Sequence, residues 1–327
     1  MDNTLPLICI IVPIYNAERF LEDALKSLQV QDYENIRVIM VNDGSVDCSE
    51  DIALQFAGDD ARFVYIDHTV NRGSGAAYNT GLAAAYDTGC EYICFLDNDD
   101  IAEPFMVETL YDTIRVTDAP VALCDFTMFT ETEIFVRHIF ADIADGVYNT
   151  ADYPSVFHSD PCPWNKIYRT EFMRENRNAI NFIERAGLQF ADTSFYIKLM
   201  ITARKFAYRP KSIVNYRIYD GQSVNSKKDP TDTLIEEFNE SVRFLNALEI
   251  DNRLDKKLSA TYFNIRFAQV YFQFLERLSP EYKERYKRLM QEYFSEQAQR
   301  GNFDGDWRNT VYYDNHKNFC ETERVFD

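Results

Sequence analysis

The sequence predicts an α/β protein, in which a mostly parallel sheet is covered by helices and followed by a C-terminal helical region. Two observations lead to this prediction. Short and almost wholly apolar runs, such as residues 7–14 (LICIIVPI) and 36–41 (IRVIMV), have the pattern of strands buried on both faces of a parallel sheet. Stretches with helical spacing lie between these runs, and such alternation indicates right-handed βαβ units.

Residues 1–100 supply most of this pattern. Predicted strands cover residues 7–14, 36–41, 63–66 and 92–96. Predicted helices cover residues 17–29, 47–56 and 76–86. The first helix has apolar residues, among them Leu21, Leu25 and Leu28, at the spacing of one helical face. In sheets of this kind, ligands bind outside the carboxyl ends of the strands.

Residues 101–225 have a mixed pattern. We predict helices over residues 103–116 and 190–203, strands over 121–126, 206–209 and 213–218, an antiparallel hairpin over 127–140 and a loop over 142–160. Helical patterning with aromatic stripes then covers residues 231–298, after a polar junction over 221–232. The predicted organisation is a domain over residues 1–225, with halves 1–100 and 101–225, and a helical region with its tail over 226–327.

Composition narrows the classes of function. The chain has 327 residues, of which 46% are hydrophobic, and therefore has enough apolar residues for a sizeable core. Its net charge of −19 argues against nucleic acid as a partner, because phosphate binding needs a basic face. The seven cysteines are odd in number and have no CxxC spacing, which fits a reducing cytosol. No apolar run reaches membrane-spanning length, so we expect a cytoplasmic protein.

Polar residues follow each of the four strands in the first half. The first strand ends in Pro13-Ile14-Tyr15-Asn16, the second in Asp43-Gly44-Ser45 and the fourth in Asp97-Asn98-Asp99-Asp100, whereas Asn71-Arg72-Gly73 lies beyond the third. Because the carboxyl ends of parallel strands meet at one edge of a sheet, we expect these side chains to form one site. Four strand ends with the same polar character favour a site over a set of unrelated solvated loops.

The fourth of these segments has three carboxylates within four residues, Asp97, Asp99 and Asp100. Like charges this close repel one another, and burial adds to the cost. A cation offsets that cost, and hard oxygen ligands suit Mg²⁺ or Mn²⁺, which often bridge protein carboxylates to substrate phosphates. The sequence therefore predicts a divalent-cation site at the end of the fourth strand.

Six segments of the chain resemble the family 2 glycosyltransferases, which have the GT-A fold. The segments are IIVPIYNAERFLEDALKSLQVQDYENIRVIMVNDGSVD, NRGSGAAYNTGL, YICFLDNDD, PWNKIYR, FADTSFYIKL and NYRIYDGQSV. Their order over the first 225 residues is more specific than any one of them. The resemblance implies an inverting transfer of a sugar from a nucleotide-sugar donor, usually a UDP-sugar, with Mn²⁺ or Mg²⁺ as cofactor.

The resemblance also implies the residues that bind the donor. They are Pro13, Tyr15, Asn16, Asp43, Arg72, Gly73, Asp97, Asn98 and Arg217. We expect Tyr15 to stack on the uracil and Asp43 to accept the uracil N3–H, although Asn-Asp-Gly-Ser is also good turn chemistry. Arg72 would pair with the pyrophosphate or a ribose oxygen, and an ordinary surface arginine is the alternative. Gly73 and Gly75 would let the donor approach the backbone closely, with a simple loop-to-helix turn as the alternative.

The metal is assigned to Asp97 and Asp99. Asp99 is expected to coordinate it directly, and Asp97 to contact the ribose or a metal-bound water. For Asp100, the alternative is a cap on the following turn. Near the end of the matching region, Tyr219 stands where many relatives have a histidine that serves as a further metal ligand.

Inversion needs a base on the face of the sugar opposite the leaving group. Asp192 matches the catalytic aspartate of the family, but Ala191 replaces the glutamate that usually precedes it. The alternative for Asp192 is a helix N-cap. The acceptor is assigned to Trp164, Asn165 and Lys166, for which a buried core Trp is the alternative.

The expected function is the transfer of a hexose or N-acetylhexosamine from a UDP-sugar to a saccharide or lipid-linked acceptor hydroxyl, in the synthesis of surface polysaccharide or glycoconjugate. A nucleotidyltransferase would need a basic, glycine-rich loop where this chain has Pro13-Ile14-Tyr15-Asn16-Ala17. A catalytically degenerate nucleotide-sugar-binding module stays open because of Ala191 and Tyr219. The C-terminal helices leave open a homodimer contact, a role in the acceptor site, or peripheral membrane docking through Lys256, Lys257, Lys283, Arg285, Lys287 and Arg288.

Overall fold

The computed structural model describes residues 5–140, 143–153, 156–157, 159–188, 191–222, 231–250 and 279–299. The chain divides into two compact units. The first contains residues 1–153 and 159–223, and the second contains residues 154–158 and 224–327.

The first unit is a mixed α/β structure built on one sheet. Its strands are β1 (Ile8–Ile14), β2 (Ile36–Asn42), β3 (Phe63–Asp67), β4 (Tyr92–Phe95), β5 (Ile101–Ala102), β6 (Val121–Phe129), β7 (Ile134–Arg137), β8 (Gly146–Asn149), β9 (Lys166–Arg169) and β10 (Lys205–Arg217). Its helices are α1 (Leu21–Gln29), α2 (Ser49–Asp59), α3 (Ser74–Asp87), α4 (Met106–Arg115), α5 (Thr170–Glu175) and α6 (Asp192–Ala203). The predicted α/β class is confirmed.

The order of the strands is β3-β2-β1-β4-β9-β6-β10-β5, with β7 beside β6 and β8 beside β10. β1 to β4 are mutually parallel, and β10 is parallel to β6. β9 enters between β4 and β6 and is antiparallel to both. The sheet is therefore parallel in its first half and mixed in its second.

The central position of β1 explains its composition. All seven of its residues are buried, because β2 and β4 flank it and helices cover its faces. α3 comes so close that a Cβ on Gly81 would collide with the side chain of Ile11. The continuous apolar run is the sequence signature of this environment.

The second half agrees with prediction in part. The predicted hairpin forms, since β6 pairs antiparallel with β7. The predicted loop over 142–160 contains the short strand β8, and the sequence pattern does not predict β5, β9 or α5. The two strands predicted over 206–209 and 213–218 are one strand, β10, whose pairing with β6 shifts register between Arg209 and Ser212. Pro210 has no amide hydrogen to donate to a neighbouring strand, and the sequence pattern therefore predicts the end of a strand there. In the structure the strand continues through this irregularity.

The second unit contains two described helices, α7 (Thr231–Ile250) and α8 (Pro280–Gln299). An ion pair of 3.7 Å joins Asp232 to Arg285. Phe238 and Phe244, two members of the predicted aromatic stripe, are buried. The other stripe residues, Tyr262, Phe263, Phe267, Tyr271 and Phe272, lie outside the described residues, as do Lys256 and Lys257. None of the described helices has the length and apolar character needed to cross a membrane.

Candidate active site

The carboxyl ends of β1, β2 and β3 lie in register at one edge of the sheet, since Ile14 pairs with Asn42 and Asn42 with Asp67. Side chains then connect the loops that follow. The amide of Asn16, which has a positive φ of 47°, donates to Ser45 Oγ at 3.1 Å, and its own Oδ1 accepts the amide of Val46 at 2.9 Å. The predicted convergence of polar strand ends is therefore present in the structure.

Asn98 connects the fourth strand end to the first. Its Nδ2 donates to the carbonyl of Pro13 at 2.8 Å, so the backbone after β1 is tied to the acidic loop after β4. Tyr15 stands on this rim with 47% of its surface exposed, which leaves its ring accessible to a planar ligand.

Asp43 holds the loop that precedes α3. It is only 2% exposed. Its Oδ1 accepts the amide of Arg72 at 2.9 Å, and its Oδ2 accepts the amide of Gly73 at 2.7 Å. Nδ1 of His68 lies 2.9 Å from the same Oδ1, and Nε2 of His68 lies 2.8 Å from Thr80 Oγ1 on α3. One buried carboxylate thus fixes β2, the segment after β3 and the start of α3.

His68 had no role in the sequence interpretation. Its position is the available signal. His68 directly follows β3, and polar residues also follow the other three strands. What could not be read from the sequence is that its partner is Asp43.

Asp97 and Asp99 of the acidic loop are partly exposed and Asp100 is buried. Hydrogen bonds offset the cost of their charges only in part. Tyr78 donates its hydroxyl to Asp97 Oδ1, and Tyr219 donates to Asp99 Oδ2 at 3.0 Å. Asp100 is fully buried, and its Oδ1 accepts the amide of Arg217 at 2.9 Å. Its Oδ2 is buried without a hydrogen-bond partner among the described residues.

These carboxyl groups resist ionisation. Burial, together with the charge of Asp99, raises the pKa of Asp97 to about 7. Burial raises the pKa of Asp99, and burial together with the charges of Asp99 and Asp97 raises that of Asp100 well above its usual range. A cation beside them would favour the ionised forms.

The carboxylates of the acidic loop fit a divalent metal ion. Among the described residues there is no complete cluster of three or more His, Cys, Asp or Glu ligands. Mg²⁺ and related ions need no such cluster, because they keep several waters and are often held by one or two carboxylates and substrate phosphates. Asp97 and Asp99 would supply the carboxylates, and the orphaned oxygen of Asp100 adds negative charge behind them.

Arg217 and Tyr219 support this loop. Nε of Arg217 donates to the carbonyl of Asp99 at 2.9 Å, and its guanidinium lies 4.4 Å from the ring centre of Phe20 and 4.9 Å from that of Phe129. The Tyr219 ring packs on Phe20 at 4.7 Å. The guanidinium of Arg217 is thus engaged within the protein, and its contact with a donor remains a prediction.

The two glycines before and in α3 face the protein's own backbone. Gly73 has a φ of 98°, and a Cβ on it would lie 2.6 Å from the carbonyl carbon of Arg185 and nearer still to its oxygen. A Cβ on Gly75 would lie 2.9 Å from the carbonyl carbon of Ile183 and again nearer to its oxygen. The sequence interpretation assigned this close approach to the donor. In the structure residues 182–185, which we call the strap, occupy that space.

Side chains from the loop before α3 and from α3 itself hold the strap. The side chain of Asn79 exchanges two hydrogen bonds with the backbone of Phe182, at 2.9 and 3.0 Å. Asn79 Nδ2 also lies 3.1 Å from Glu184 Oε1, and the other carboxylate oxygen of Glu184 forms an ion pair of 2.8 Å with Arg72. The strap is therefore anchored by Asn79 at Phe182 and Glu184, and by Arg72 at Glu184.

An aromatic stack connects the acidic loop to the helix that carries Asp192. The Phe182 ring is stacked on Tyr78 at 4.5 Å and on Phe195 of α6 at 3.9 Å. Tyr78 bonds Asp97, and Asp192 is the first residue of α6. The charge of Asp192 is close enough to contribute to the raised pKa of Asp97. The structure thus brings the predicted base and the acidic loop into one site.

The three residues assigned to the acceptor are buried. Trp164 is 3% exposed and stacks on Tyr216 at 5.5 Å. Asn165 donates to the carbonyl of Cys124 at 2.7 Å, and Lys166 donates to Asn165 Oδ1 at 2.6 Å while its ammonium lies 4.9 Å from the Tyr196 ring centre. Their burial agrees with the alternative of a buried core Trp. A role in acceptor binding stays a prediction.

The fold matches solved glycosyltransferases. The crystal structure of Staphylococcus aureus TarS 1–349 in complex with UDP-GlcNAc has a TM-score of 0.67 at 18% identity, covering 87% of this chain and 79% of TarS. Mannosyltransferase PcManGT from Pyrobaculum calidifontis, in complex with GDP-Man and Mn²⁺, has a TM-score of 0.53 at 14% identity, covering 90% and 87%. The architecture is therefore that of the GT-A glycosyltransferases, as the resemblance implied.

Sequence comparison identifies the family. Residues 9–185 match the model of Glycosyl transferase family 2, and the chain belongs to this family. It is 34% identical over 226 residues to glycosyltransferase GlyA of Streptococcus pneumoniae, covering 65% of this chain and 31% of GlyA. It is 31% identical over 223 residues to the putative glycosyltransferase EpsH of Bacillus subtilis, covering 65% and 61%. The matches thus span less than two thirds of the length of either relative.

Proposed function

We propose that this protein transfers a hexose or N-acetylhexosamine from a UDP-sugar to a hydroxyl of a saccharide or lipid-linked acceptor, with inversion and with Mn²⁺ or Mg²⁺. The observation that supports it best is the acidic loop after β4, beside the polar ends of β1, β2 and β3. Family membership and the nucleotide-sugar complexes of TarS and PcManGT support the donor class. The transferase domain is assigned to residues 1–225.

The base of the donor would lie between Tyr15 and Asp43. Tyr15 offers an exposed ring on the rim, and stacking on an aromatic face is a common way to hold a base. An ionised carboxylate has roughly four lone-pair sites, and Asp43 uses three of them for His68, Arg72 and Gly73. The remaining site on Oδ2 suits the N3–H of uracil, so the loop contacts and the base contact are compatible.

The diphosphate and sugar would lie over the acidic loop. Asp97 and Asp99 would hold the divalent ion, which when bound neutralises the diphosphate and stabilises the departing UDP as a Lewis acid. Arg72 is the cation of the loop before α3, and its guanidinium fork suits phosphate oxygens. Tyr78, Tyr219 and the amide of Arg217 fix the orientation of the three carboxylates.

Asp192 is the proposed general base. It would take the proton of the acceptor hydroxyl as that oxygen attacks C1 of the sugar from the face opposite UDP, while the C1–O bond to UDP breaks. Its place at the start of α6, joined to the acidic loop through Phe195, Phe182 and Tyr78, supports this role. Ala191 is buried beside it, in the position where relatives have glutamate.

Calorimetric titration of UDP, with and without Mn²⁺, tests the donor site. Wild-type protein should bind UDP in a Mn²⁺-dependent manner, and Asp99→Ala should lose that dependence because a hard ligand is removed. Asp112→Asn, which removes an exposed carboxylate on α4, should bind like wild type. A UDP affinity that changes neither with Mn²⁺ nor with the Asp99 substitution would contradict the metal assignment.

Transfer itself is tested with Asp192→Asn. This variant should bind UDP as wild type does, yet fail to release UDP from a UDP-sugar in the presence of a saccharide acceptor. Equal turnover by wild type and variant would exclude Asp192 as the base. Binding of UDP-sugars by wild type without any turnover across an acceptor panel would favour the alternative, a nucleotide-sugar-binding module.

We further propose a cytoplasmic location, with peripheral contact at the membrane where lipid-linked acceptors would be met. The six cysteines within the described residues are free thiols, which supports a reducing compartment. Synthesis of surface polysaccharide or glycoconjugate is the biological role that fits a saccharide acceptor on such a lipid.

A further inference from the structure

Arg72, the cation that we assign to the donor diphosphate, is paired with Glu184 in the structure. Arg72 NH2 lies 2.8 Å from Glu184 Oε2, and the two side chains are 49% and 45% exposed. The backbone of Arg72 is fixed by its bond to Asp43, so the guanidinium can change partners while the loop stays in place. Carboxylate and phosphate offer the same paired oxygens to an arginine fork.

Arg72 is one of a few cations near the acidic loop, and Arg19, like Arg217, packs its guanidinium on the ring of Phe20. The donor adds a diphosphate to a loop that already contains Asp97, Asp99 and Asp100. The guanidinium of Arg217 is used within the protein, against the carbonyl of Asp99 and the ring of Phe20. The partner that Arg72 has at any moment should therefore matter for donor affinity.

We propose that Glu184 sets the affinity for the donor by competing with the donor diphosphate for Arg72. This inference rests on the proposed function, because it requires a nucleoside diphosphate at the acidic loop. Donor binding exchanges one ion pair for another: Arg72 leaves the Glu184 carboxylate and pairs with phosphate oxygens. Glu184 is thus a residue that tunes donor affinity without contacting the donor.

The exchange is local because the strap has other anchors. Glu184 keeps its contact with Asn79 through Oε1, and Asn79 keeps both of its bonds to the backbone of Phe182. The Phe182 ring stays stacked between Tyr78 and Phe195. Releasing Arg72 therefore breaks one half-exposed ion pair and leaves the strap in position.

The size of the effect follows from the exposure of the pair. Exposed ion pairs are weak. When such a pair closes a site, the apparent dissociation constant equals the intrinsic constant divided by the fraction of molecules in which the pair is open. Removing the competing carboxylate should make UDP bind roughly two- to six-fold more tightly. The gain should shrink at high salt, where exposed charges are screened.

The test is calorimetric titration of UDP with Mn²⁺ into the full chain. Four proteins are compared: wild type, Glu184→Gln, Arg72→Ala and the double variant. Glutamine keeps an oxygen for Asn79 and removes the charge that holds Arg72. Asp112→Asn is the matched control, since the Arg115–Asp112 pair has a length of 2.7 Å and side-chain exposures of 49% and 41%. We expect tighter binding by Glu184→Gln alone, and no further gain from it when Arg72 is absent.

The outcomes distinguish a failure of the proposed competition from a failure of the proposed function. Absence of UDP binding by wild type would refute the donor class itself. Wild-type binding with an unchanged or weaker affinity in Glu184→Gln would refute the competition. A gain in Glu184→Gln that persists in the Arg72→Ala background would also refute it, because simple charge repulsion between Glu184 and the diphosphate would then be the cause.

Discussion

Replacing Gly75 with alanine tests what the glycines of the α3 region are for. A Cβ at this position would lie 2.9 Å from the carbonyl carbon of Ile183 and 3.2 Å from Cβ of Phe182, and nearer still to the Ile183 oxygen. Because the obstacle is backbone, either the strap or the helix must shift. Overpacking of this kind costs about 1–3 kcal/mol, and the better helix propensity of alanine returns up to about 1 kcal/mol. We expect a net loss of about 1–2 kcal/mol in the free energy of unfolding.

Thermal unfolding of the ligand-free protein is the assay. For a domain of this size, each kcal/mol shifts the midpoint by roughly 2–4 °C, so Gly75→Ala should unfold roughly 2–8 °C below wild type. Gly58→Ala in α2 is the control, because a Cβ there has nothing within 4 Å. It should raise the midpoint by a few degrees through helix propensity alone. A midpoint for Gly75→Ala at or above that of wild type, together with weaker UDP binding, would refute the strap explanation and favour a donor contact.

Two further substitutions test contacts of the site. Tyr78→Phe removes the hydroxyl that donates to Asp97 and should lower the free energy of unfolding in urea by about 1–3 kcal/mol, with part of the loss restored by Mn²⁺ together with UDP; no loss would contradict the hydrogen bond. Trp164→Ala should cost about 3–5 kcal/mol in the same assay and leave the UDP affinity of the folded protein unchanged. A small loss of stability with a raised KM for the acceptor would instead support the predicted acceptor contact.

The sequence predicted the first half of the fold well because the physics there is local. β1 and β2 are buried almost throughout, so each is a continuous apolar run with turn residues at its end. The second half depends on pairings that leave weaker signals. β9 has only four residues, Lys166–Arg169, and its buried lysine makes it look like a surface segment. Pro210 made one long strand look like two.

The site was predictable where topology alone decides, and not where a distant partner decides. Parallel strands bring their carboxyl ends together, so Asn16, Asp43 and the acidic loop had to meet at one edge. Gly75 faces Ile183, which lies more than one hundred residues later in the chain, and no local sequence pattern predicts that contact. The same holds for Trp164, because stacking on Tyr216 inside the core and stacking on a sugar need the same residue type.

The acidic loop affects both the stability of the fold and the proposed function. Each of its three carboxylates receives one donor from the described protein, from Tyr78, Tyr219 or the amide of Arg217, and one oxygen of Asp100 receives none. Burial raises the pKa values of all three groups, neighbouring carboxylates raise those of Asp97 and Asp100 further, and the hydrogen bonds from neutral donors offset these effects only in part. A divalent ion supplies the missing charge only when it has further oxygen ligands, and the diphosphate of a donor provides them. Ion and donor therefore stabilise the folded state together, since neither finds such a site in the unfolded chain.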